Sequence, residues 1–411
     1  MTHGHDIVIV GAGLSGAVLA DRFARVLNLS VLVIDKRNHI AGNCHDYINE
    51  DGILMNKYGL HLFHTNDDET YEYITQFGTW IPYVHKVVAR VKTDEGVEEH
   101  VPVPVNIETV NKLLHTHLQT TDDMDAWLKE NQVEYPNGIR NSEEMAKSRV
   151  GEELYERLFK HYTIKQWNKH PSELDPSVLA RIPIRNNHDC RYFSDKYQLY
   201  PLNGYTEFVA NLLNHPLITV RLNTDYFSVQ DEDCIKGRKL LIYTGPIDRY
   251  FDDPECPKLE YRSIRFEEIG LQGVGLFQSN IVVNEPSPDV AYTRSVEYSH
   301  LPQNRDKIRN APTTIVREYT TDEGEPYYPV PNERNLALYE KYRQLAIEEE
   351  QHNSVIFVGR LAQYKYIDMH TAIKNALEIF KQVSGSGKFV SQEIKTDEMR
   401  KSVDKKNIDH S

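Results

Sequence analysis

The sequence predicts an α/β protein with one discontinuous domain of parallel strands and helices, an inserted helical domain and an antiparallel β-sheet domain. Three observations predict it. A β-branched run, Ile7 to Val10, leads into a glycine-rich turn and then into a helical pattern. Residues 107 to about 169 have helical periodicity. Short apolar runs between 261 and 319 are broken by Pro and Gly, which is typical of antiparallel sheets.

The first element is a strand, turn and helix. Gly11, Gly13 and Gly16 follow the strand and permit close backbone approach, while the free N–H groups of the next helix favour a pyrophosphate. A second predicted strand, Val31 to Ile34, is followed by Asp35. An acidic side chain at this position is expected to bind a ribose hydroxyl. This order predicts a Rossmann-like dinucleotide-binding unit. Both FAD and NAD fit it.

The later elements follow in order along the chain. "VHKVVARVKT" alternates from Val84 to Val91 and predicts a strand, and "VPVPVN" at 101–106 predicts an edge strand or a domain crossing, because each proline removes a ladder donor. "SVIFVGR" at 354–360 predicts another buried strand, and "HTAIKNALEIFKQV" predicts an amphipathic helix after it. In the helical insert the stripe comprises Tyr155, Leu158, Phe159 and Tyr162.

These elements predict three domains and a tail. The nucleotide-binding domain returns after each insertion, because its strand-like runs are far apart in the sequence. We predict the boundaries as follows: 1–85, 203–245 and 330–388 for the nucleotide-binding domain; 105–180 for the helical domain; 86–104, 186–202 and 246–329 for the antiparallel sheet domain; and 389–411 for a polar tail.

The composition is that of an ordinary acidic protein. The chain has 411 residues and a formal net charge of −14, so we expect neither a nucleic-acid partner nor an anionic membrane surface. We also expect no membrane insertion and no export signal. Four dispersed cysteines without a CxxC pair predict reduced thiols, no metal framework and a cytoplasmic location.

Seven short motifs in order resemble the UDP-galactopyranose mutases. Their residues run from Asp35 to Met369: "DKRNHIAGN" at 35–43, "YGLHLFHT" at 58–65, "YTIKQW" at 162–167, "ARIPIR" at 180–185, "YTRSVEY" at 292–298, "YYPVP" at 327–331 and "GRLAQYKYIDM" at 359–369. The resemblance implies FAD, and thus a discontinuous Rossmann-like FAD-binding domain with an inserted helical-bundle domain and an antiparallel β-sheet domain. Three positions depart from the family pattern, namely Asp35, Ala41 and Leu60.

The resemblance also implies a reaction. Members of the family interconvert the pyranose and furanose forms of UDP-galactose, in which N5 of reduced FAD attacks the anomeric carbon and releases UDP without net oxidation. The reduced cofactor is therefore the expected active form. A UDP-sugar is the expected substrate and a homodimer the expected assembly.

Site residues follow from the motif positions. Arg181 and Arg294 correspond to the two arginines that grip the diphosphate, and a guanidinium suits this role because its planar fork donates two parallel bonds. The resemblance makes Arg181, Arg294, His64 and Asp368 the catalytic candidates. It makes Tyr162, Trp167, Arg181, Tyr192, Asn284, Arg294, Tyr328 and Tyr366 the substrate-binding candidates, with Tyr162 and Trp167 in the uridine pocket.

The cofactor-binding candidates combine the glycine turn with three motifs. They are Gly11, Gly13, Ser15, Gly16, Asp35, Lys36, Gly42, Asn43, His61, Arg360, Asp368 and Met369. By resemblance the loop with His61 and His64 lines the flavin ring, with His64 as the group that senses its redox state. The sequence leaves open which histidine contacts the ring. We expect no metal at this pair, because no third ligand is near.

Other function classes stay open at this point. The main alternative is an FAD-dependent amine oxidase or desaturase, which makes a net redox change. An NAD-dependent dehydrogenase and a non-enzymatic binding module are further alternatives. The sugar can be galactose, its N-acetylamino analogue or a deoxy relative, and the base is uracil by motif similarity only.

Overall fold

The computed structural model describes residues 4–252, 256–307 and 311–385, so the predicted polar tail at 389–411 lies outside the described residues. The strands are β1 Ile7–Val10, β2 Val31–Ile34, β3 Asp46–Ile48, β4 Leu54–Asn56, β5 Phe63–Thr65, β6 Trp80–Pro82, β7 Val87–Lys92, β8 Glu98–Val103, β9 Tyr197–Pro201, β10 Ile218–Arg221, β11 Leu240–Tyr243, β12 Tyr261–Leu271, β13 Val282–Asn284, β14 Arg294–Glu297, β15 Thr313–Thr321, β16 Tyr328–Pro329 and β17 Val355–Phe357.

The α-helices are α1 Leu14–Leu27, α2 Asp68–Ile74, α3 Ile107–Leu114, α4 Thr121–Asn131, α5 Ser142–Leu154, α6 His161–Trp167, α7 Ser177–Ala180, α8 Tyr205–Leu213, α9 Tyr226–Val229, α10 Asp233–Lys236, α11 Ile247–Phe251, α12 Glu333–His352 and α13 Met369–Gly385. Residues Tyr155–Lys160 form a π-helical segment between α5 and α6.

A parallel sheet organises the nucleotide-binding part. Its strand order is β10-β2-β1-β11-β17, so β1 lies at the centre and is nearly fully buried, as its β-branched sequence predicts. Helix α1 packs beside α13, where the rings of Phe23 and Phe380 meet edge to face at 5.4 Å. The α/β class and the Rossmann-like unit are confirmed. The strands come from three distant parts of the chain.

The second sheet is mixed rather than purely antiparallel. Its order is β16-β12-β15-β14-β13-β7-β8, and β13 runs parallel to β7 while the other neighbours are antiparallel. The predicted antiparallel arrangement is confirmed for the other neighbouring strands of this sheet, and this one pair is parallel. Residues 87–92 and 282–284 are far apart in sequence, so no hairpin forces them to be antiparallel. Strand β8, which contains Pro102 and is followed by Pro104, lies at the edge, as the sequence predicts.

A small third sheet was not predicted. Strand β9 pairs with β5 and β6, whereas the sequence groups 186–202 with the large sheet. Tyr200 and Phe63 are buried in this sheet, and that burial fixes the register. Among the strand residues of this sheet, His64 of β5 lines the second of the cavities described below.

The helical insert comprises α3 to α7. The predicted stripe is buried at Tyr155, Leu158 and Phe159, and the π-helical turn widens the helix just before Tyr162. Such turns are frequent at functional sites because they redirect the following side chains. Within the residues described, no helix combines the length and apolar character that a bilayer crossing requires.

Candidate functional site

Two adjoining cavities lie between the parallel sheet, the mixed sheet and the helical insert. The first, of about 230 Å³, opens at the carboxyl ends of β1, β2 and β11. The second, of about 410 Å³, lies among β13, β14, α6 and α7. Four residues line both cavities: His61, Arg360, Asp368 and Met369. We call these four residues the junction.

The glycine turn shapes the first cavity. Gly11 has φ +111°, and a Cβ there would collide with Thr244 Oγ1. Gly42 has φ +54°, and its Cβ would lie 3.0 Å from the Cα of Gly13. Gly11, Gly13 and Gly42 all line the cavity beside the first turn of α1. The backbone therefore offers N–H groups in a space that side chains would fill, which fits a dinucleotide pyrophosphate.

Two predicted cofactor residues lie behind this turn. Ser15 and Gly16 are buried in α1 and do not line the cavity. A Cβ on Gly16 would overlap the carbonyl oxygen of Gly11 and lie 3.2 Å from Ile9 Cγ2. Gly16 thus allows α1 to pack on β1, and its effect on a ligand is indirect.

Asp35 lies at the end of β2 and lines the first cavity. Its Oδ2 accepts from the N–H of Ala12 at 2.8 Å, and its Oδ1 accepts from the N–H of Arg37 at 2.8 Å. Each carboxylate oxygen has a further lone pair for a ligand hydroxyl. Lys36 and Asn43 also line the cavity, but they bond to Glu325 and Arg37, respectively.

His61 and Asp368 meet at the junction. The Nδ1 of His61 lies 2.7 Å from the carbonyl oxygen of Gly59. Burial lowers the pKa of His61 to about 4, and the charge of Arg360 adds to the effect, so the ring is neutral at pH 7. Asp368 is exposed directly before Met369, the first residue of α13. The junction therefore combines a neutral imidazole with a carboxylate and a guanidinium.

Arginines and tyrosines alternate along one wall of the second cavity. The guanidinium of Arg181 lies 4.2 Å from the ring centre of Tyr366, which stacks on Tyr328 at 5.3 Å. Arg360 lies 5.3 Å from both rings and donates to the carbonyl of Ile367 at 2.8 Å. Cation–π contacts hold these guanidinium groups in place while leaving donors for an anion. Tyr192 lines the same cavity.

Arg294 is held by a buried carboxylate that the sequence analysis missed. Its Nε donates to Oε2 of Glu318 at 2.7 Å, and Glu318 is 2% exposed. Burial alone would lower the pKa of Arg294, but Glu318 holds that pKa above its ordinary value. The Oε1 of Glu318 has no hydrogen-bond partner among the described residues. Only the register of β14 on β15, which pairs these two residues, reveals this contact.

Asn284 lies beside Arg294. The two residues are ten positions apart in sequence, but the antiparallel register of β13 and β14 places them directly opposite each other. Both line the second cavity. The structure therefore brings Asn284 and Arg294 to the same cavity.

Tyr162 and Trp167 are placed differently from each other. Tyr162 lines the second cavity, and burial raises its pKa, so the phenol is a neutral donor. Trp167 does not line it, because its ring is only 2% exposed and packs 6.5 Å from the ring of Tyr328. A ligand contact by Trp167 stays a prediction that the structure does not favour.

His64 lines only the second cavity. Its ring stacks on Phe193 at 3.6 Å, and its Nδ1 lies 3.0 Å from Oδ2 of Asp195. His61, at the junction, is therefore the histidine that faces both cavities. Leu60, which departs from the family pattern, lines the second cavity beside it.

Several further residues line the first cavity although they belong to none of the sequence motifs. They include Thr224, Tyr226, Phe227, Thr244 and Arg249. Thr244 directly follows β11. Its position could have been predicted from the sequence, because ligands lie at the carboxyl ends of buried parallel strands.

The chain is similar to two groups of known proteins. The family model for UDP-galactopyranose mutase matches residues 157–366, and a model for NAD(P)-binding Rossmann-like domains matches residues 9–77. A probable UDP-galactopyranose mutase of Klebsiella pneumoniae is 34% identical over 377 residues, which are 91% of this chain and 93% of the relative. A dTDP-fucopyranose mutase of Escherichia coli is also 34% identical, over 91% of this chain and 97% of the relative.

A solved structure has the same fold. A reduced UDP-galactopyranose mutase superimposes with a TM-score of 0.70 at 16% identity, covering 93% of this chain and 94% of the other. The likeness extends over the parallel sheet, the helical insert and the mixed sheet.

Proposed function

Because the chain belongs to the UDP-galactopyranose mutase family, we propose that it is an isomerase that interconverts UDP-galactopyranose and UDP-galactofuranose, or a closely related sugar nucleotide. The observation that carries the proposal is the junction. One cavity suited to a dinucleotide meets, at four shared residues, a second cavity lined by arginines and tyrosines.

The cofactor in this proposal is FAD. The glycine turn and Asp35 support a pyrophosphate and a ribose, and the junction is where the reactive ring of such a cofactor would lie. Bound at the junction in its reduced form, FAD would supply a nucleophile, N5, for a reaction without net oxidation.

The chain's own residues hold the diphosphate. Arg181 and Arg294 both line the second cavity, and each charge-assisted bond to a phosphate oxygen contributes about 1.5–3 kcal/mol. These bonds strengthen as negative charge develops on the departing diphosphate. Tyr192, Tyr328 and Tyr366 add hydroxyl donors without adding charge.

The nucleoside end of the second cavity lies against helix α6. Tyr162 and Gln166 of this helix line the cavity, as do the aliphatic side chains of Val87 and Val105. An aromatic face and apolar walls suit a pyrimidine base. Since uracil and thymine both fit this description, the equal identity to a dTDP-fucopyranose mutase makes a dTDP-sugar the second candidate substrate.

A substrate panel tests the proposal. The full chain, loaded with FAD and reduced with dithionite, should convert UDP-galactofuranose into the pyranose form, whereas the oxidised protein should be much slower. Liquid chromatography of the products measures both rates. UDP-N-acetylgalactosamine and dTDP-fucose form the comparison arms. Absence of conversion of every sugar nucleotide, with reduction of the flavin by an amine, would instead favour an oxidase.

We expect His61 to influence the bound flavin more than His64 does. His61→Ala should shift the visible absorption and the reduction potential of FAD, because this ring lies at the junction. His64→Ala should leave the spectrum close to that of the parent protein, since Phe193 and Asp195 hold that ring in the second cavity. A larger spectral change in His64→Ala would reverse this assignment.

The proposal places the enzyme in the cytoplasm as a homodimer. All four cysteines lie in the described part of the chain and are free thiols, which agrees with a reducing compartment. The dimer rests on family resemblance.

A further inference from the structure

The side chain of Lys165, in helix α6, enters the loop that joins β13 to β14. Its Nζ donates to four main-chain carbonyl oxygens, those of Glu285 at 2.5 Å, Ser287 at 2.9 Å, Val290 at 2.8 Å and Tyr292 at 3.1 Å. An ammonium has three protons, so the four oxygens share them. We call these four oxygens the carbonyl cage.

The loop around the cage carries a site residue at each end. Asn284 ends β13 and Arg294 begins β14, and both line the second cavity. The backbone between them bends around the ammonium at four points. A displacement of this loop would therefore move both side chains relative to the diphosphate and the nucleoside.

Helix α6 is itself tied to the mixed sheet. The carbonyl oxygen of Lys165 accepts from the hydroxyl of Thr320, and that of Gln166 accepts from Arg262 Nε at 3.0 Å. The same helix carries Tyr162, which lines the second cavity. Lys165 thus joins the two walls between which the nucleotide would lie.

We propose that Lys165 is a positioning residue whose ammonium holds the β13–β14 loop against helix α6, and so sets the distance between Arg294 and the nucleoside wall. This inference rests on the proposed function, because it concerns the same substrate. It assigns Lys165 no contact with the substrate. Small displacements of positioning groups have large kinetic effects, since catalytic contacts depend on distances of a fraction of an ångström.

The surrounding charges are compatible with an ammonium at neutral pH. Burial lowers the pKa of Lys165 to about 8, and the carboxylate of Glu285 works in the opposite direction. That carboxylate is itself bound by Arg90, which also donates to Tyr292 Oη at 3.1 Å. Arg90 holds side chains of the loop, whereas Lys165 holds its carbonyl groups.

Rescue of Lys165→Ala by a small cation would distinguish this positioning role from a general structural role. In Lys165→Ala four carbonyl oxygens would surround a space about the size of an ammonium ion, and carbonyl oxygens also replace the hydration shell of potassium. Added ammonium or potassium should then occupy the cage. Tetramethylammonium, at equal ionic strength, is too large and serves as the salt control.

The measurement is the Kd for UDP of the full chain loaded with oxidised FAD, by titration calorimetry. Lys165→Met should bind UDP about 10- to 100-fold more weakly. Lys165→Ala should bind equally weakly and recover with ammonium chloride. With reduced FAD and the UDP-sugar varied from below to above its KM, KM should change more than kcat. Hydrogen exchange should increase at the amides of 285–293.

Lys160→Ala is the matched control. Lys160 lies in the preceding helical segment and pairs with Glu156 at 2.9 Å, away from the carbonyl cage. Its removal should leave the Kd for UDP unchanged in every salt.

Several outcomes would overturn the inference. One is parent-like affinity for UDP in Lys165→Met; another is weak binding in Lys165→Ala that ammonium does not restore. Should neither variant fold, the Kd for UDP of Lys165→Arg tests the inference instead. A planar guanidinium keeps the positive charge but does not fit the carbonyl cage. It should weaken UDP binding, and unchanged affinity would contradict the proposal. A parent protein that binds neither UDP nor dTDP would refute the proposed function, while hydrogen exchange would still decide the role of Lys165 in the loop.

Discussion

Replacement of Arg294 by alanine should lower kcat/KM for the sugar nucleotide by about 10²- to 10³-fold, with FAD still bound. The guanidinium is the fixed donor to which Glu318 is paired, and it lies in the cavity proposed for the diphosphate. Its removal loses bonds that strengthen as the diphosphate departs. It also leaves the buried carboxylate of Glu318 without a counter-charge. Steady-state kinetics of the dithionite-reduced protein measure the effect.

The controls separate these two consequences. Arg317→Ala removes an arginine from the adjacent strand β15, where it contacts Tyr292 and Glu267 outside the cavity, so its activity should stay within about twofold of the parent. The double variant Arg294→Ala with Glu318→Gln removes the unpaired charge and should regain stability but not activity. An Arg294→Ala enzyme with unchanged kcat/KM would exclude this arginine from the reaction.

Replacement of Gly13 by valine should abolish FAD binding while leaving the fold intact. Gly13 has φ −79°, and a Cβ there would meet only the Cα of Gly42, at 3.8 Å. The protein without cofactor can therefore accept the side chain. Because Gly13 lines the first cavity, the added methyl groups would occupy the space proposed for the pyrophosphate. We expect a colourless protein with a parent-like circular dichroism spectrum.

Valine substitutions at two other glycines serve as controls for this prediction. Gly11→Val should destabilise the fold itself, because Gly11 has φ +111° and its Cβ would collide with Thr244. Gly270→Val, in β12, should be neutral for cofactor binding, since a Cβ there meets nothing within 4 Å. A yellow Gly13→Val protein with one FAD per chain would contradict the assignment of the first cavity.

The sequence predicted the parts of the fold that depend on local pattern. The β-branched run of β1, the glycine turn and the helix after it could be predicted from the sequence. Hydrophobic periodicity and the conformational freedom of glycine are properties of a few neighbouring residues. The family motifs brought most site residues into the two cavities. The edge position of β8 followed from Pro102 in the strand and Pro104 after it.

The register between strands that are distant in the chain could not be predicted from the sequence. The pairing of Arg294 with Glu318 requires β14 and β15 to align, and the small sheet requires β9 to pair with β5. The ring of Trp167 packs beside Tyr328 and does not line the second cavity, and the residue types next to it in the sequence do not determine that burial. Likewise, His61 and His64 differ in which cavity they face, and a three-residue spacing does not report that.

The parallel sheet has a consequence for biosynthesis. Its strands β1, β11 and β17 are neighbours in space, yet β17 is made only when the ribosome has reached Val355 to Phe357. Helix α13, which carries Met369 and packs on α1, emerges later still. The nascent chain must therefore keep its first strand–turn–helix unit partly uncovered while the intervening residues are translated. Binding of the proposed dinucleotide should then come late, after β17 and α13 have emerged, and the need for chaperones should be greatest in that interval.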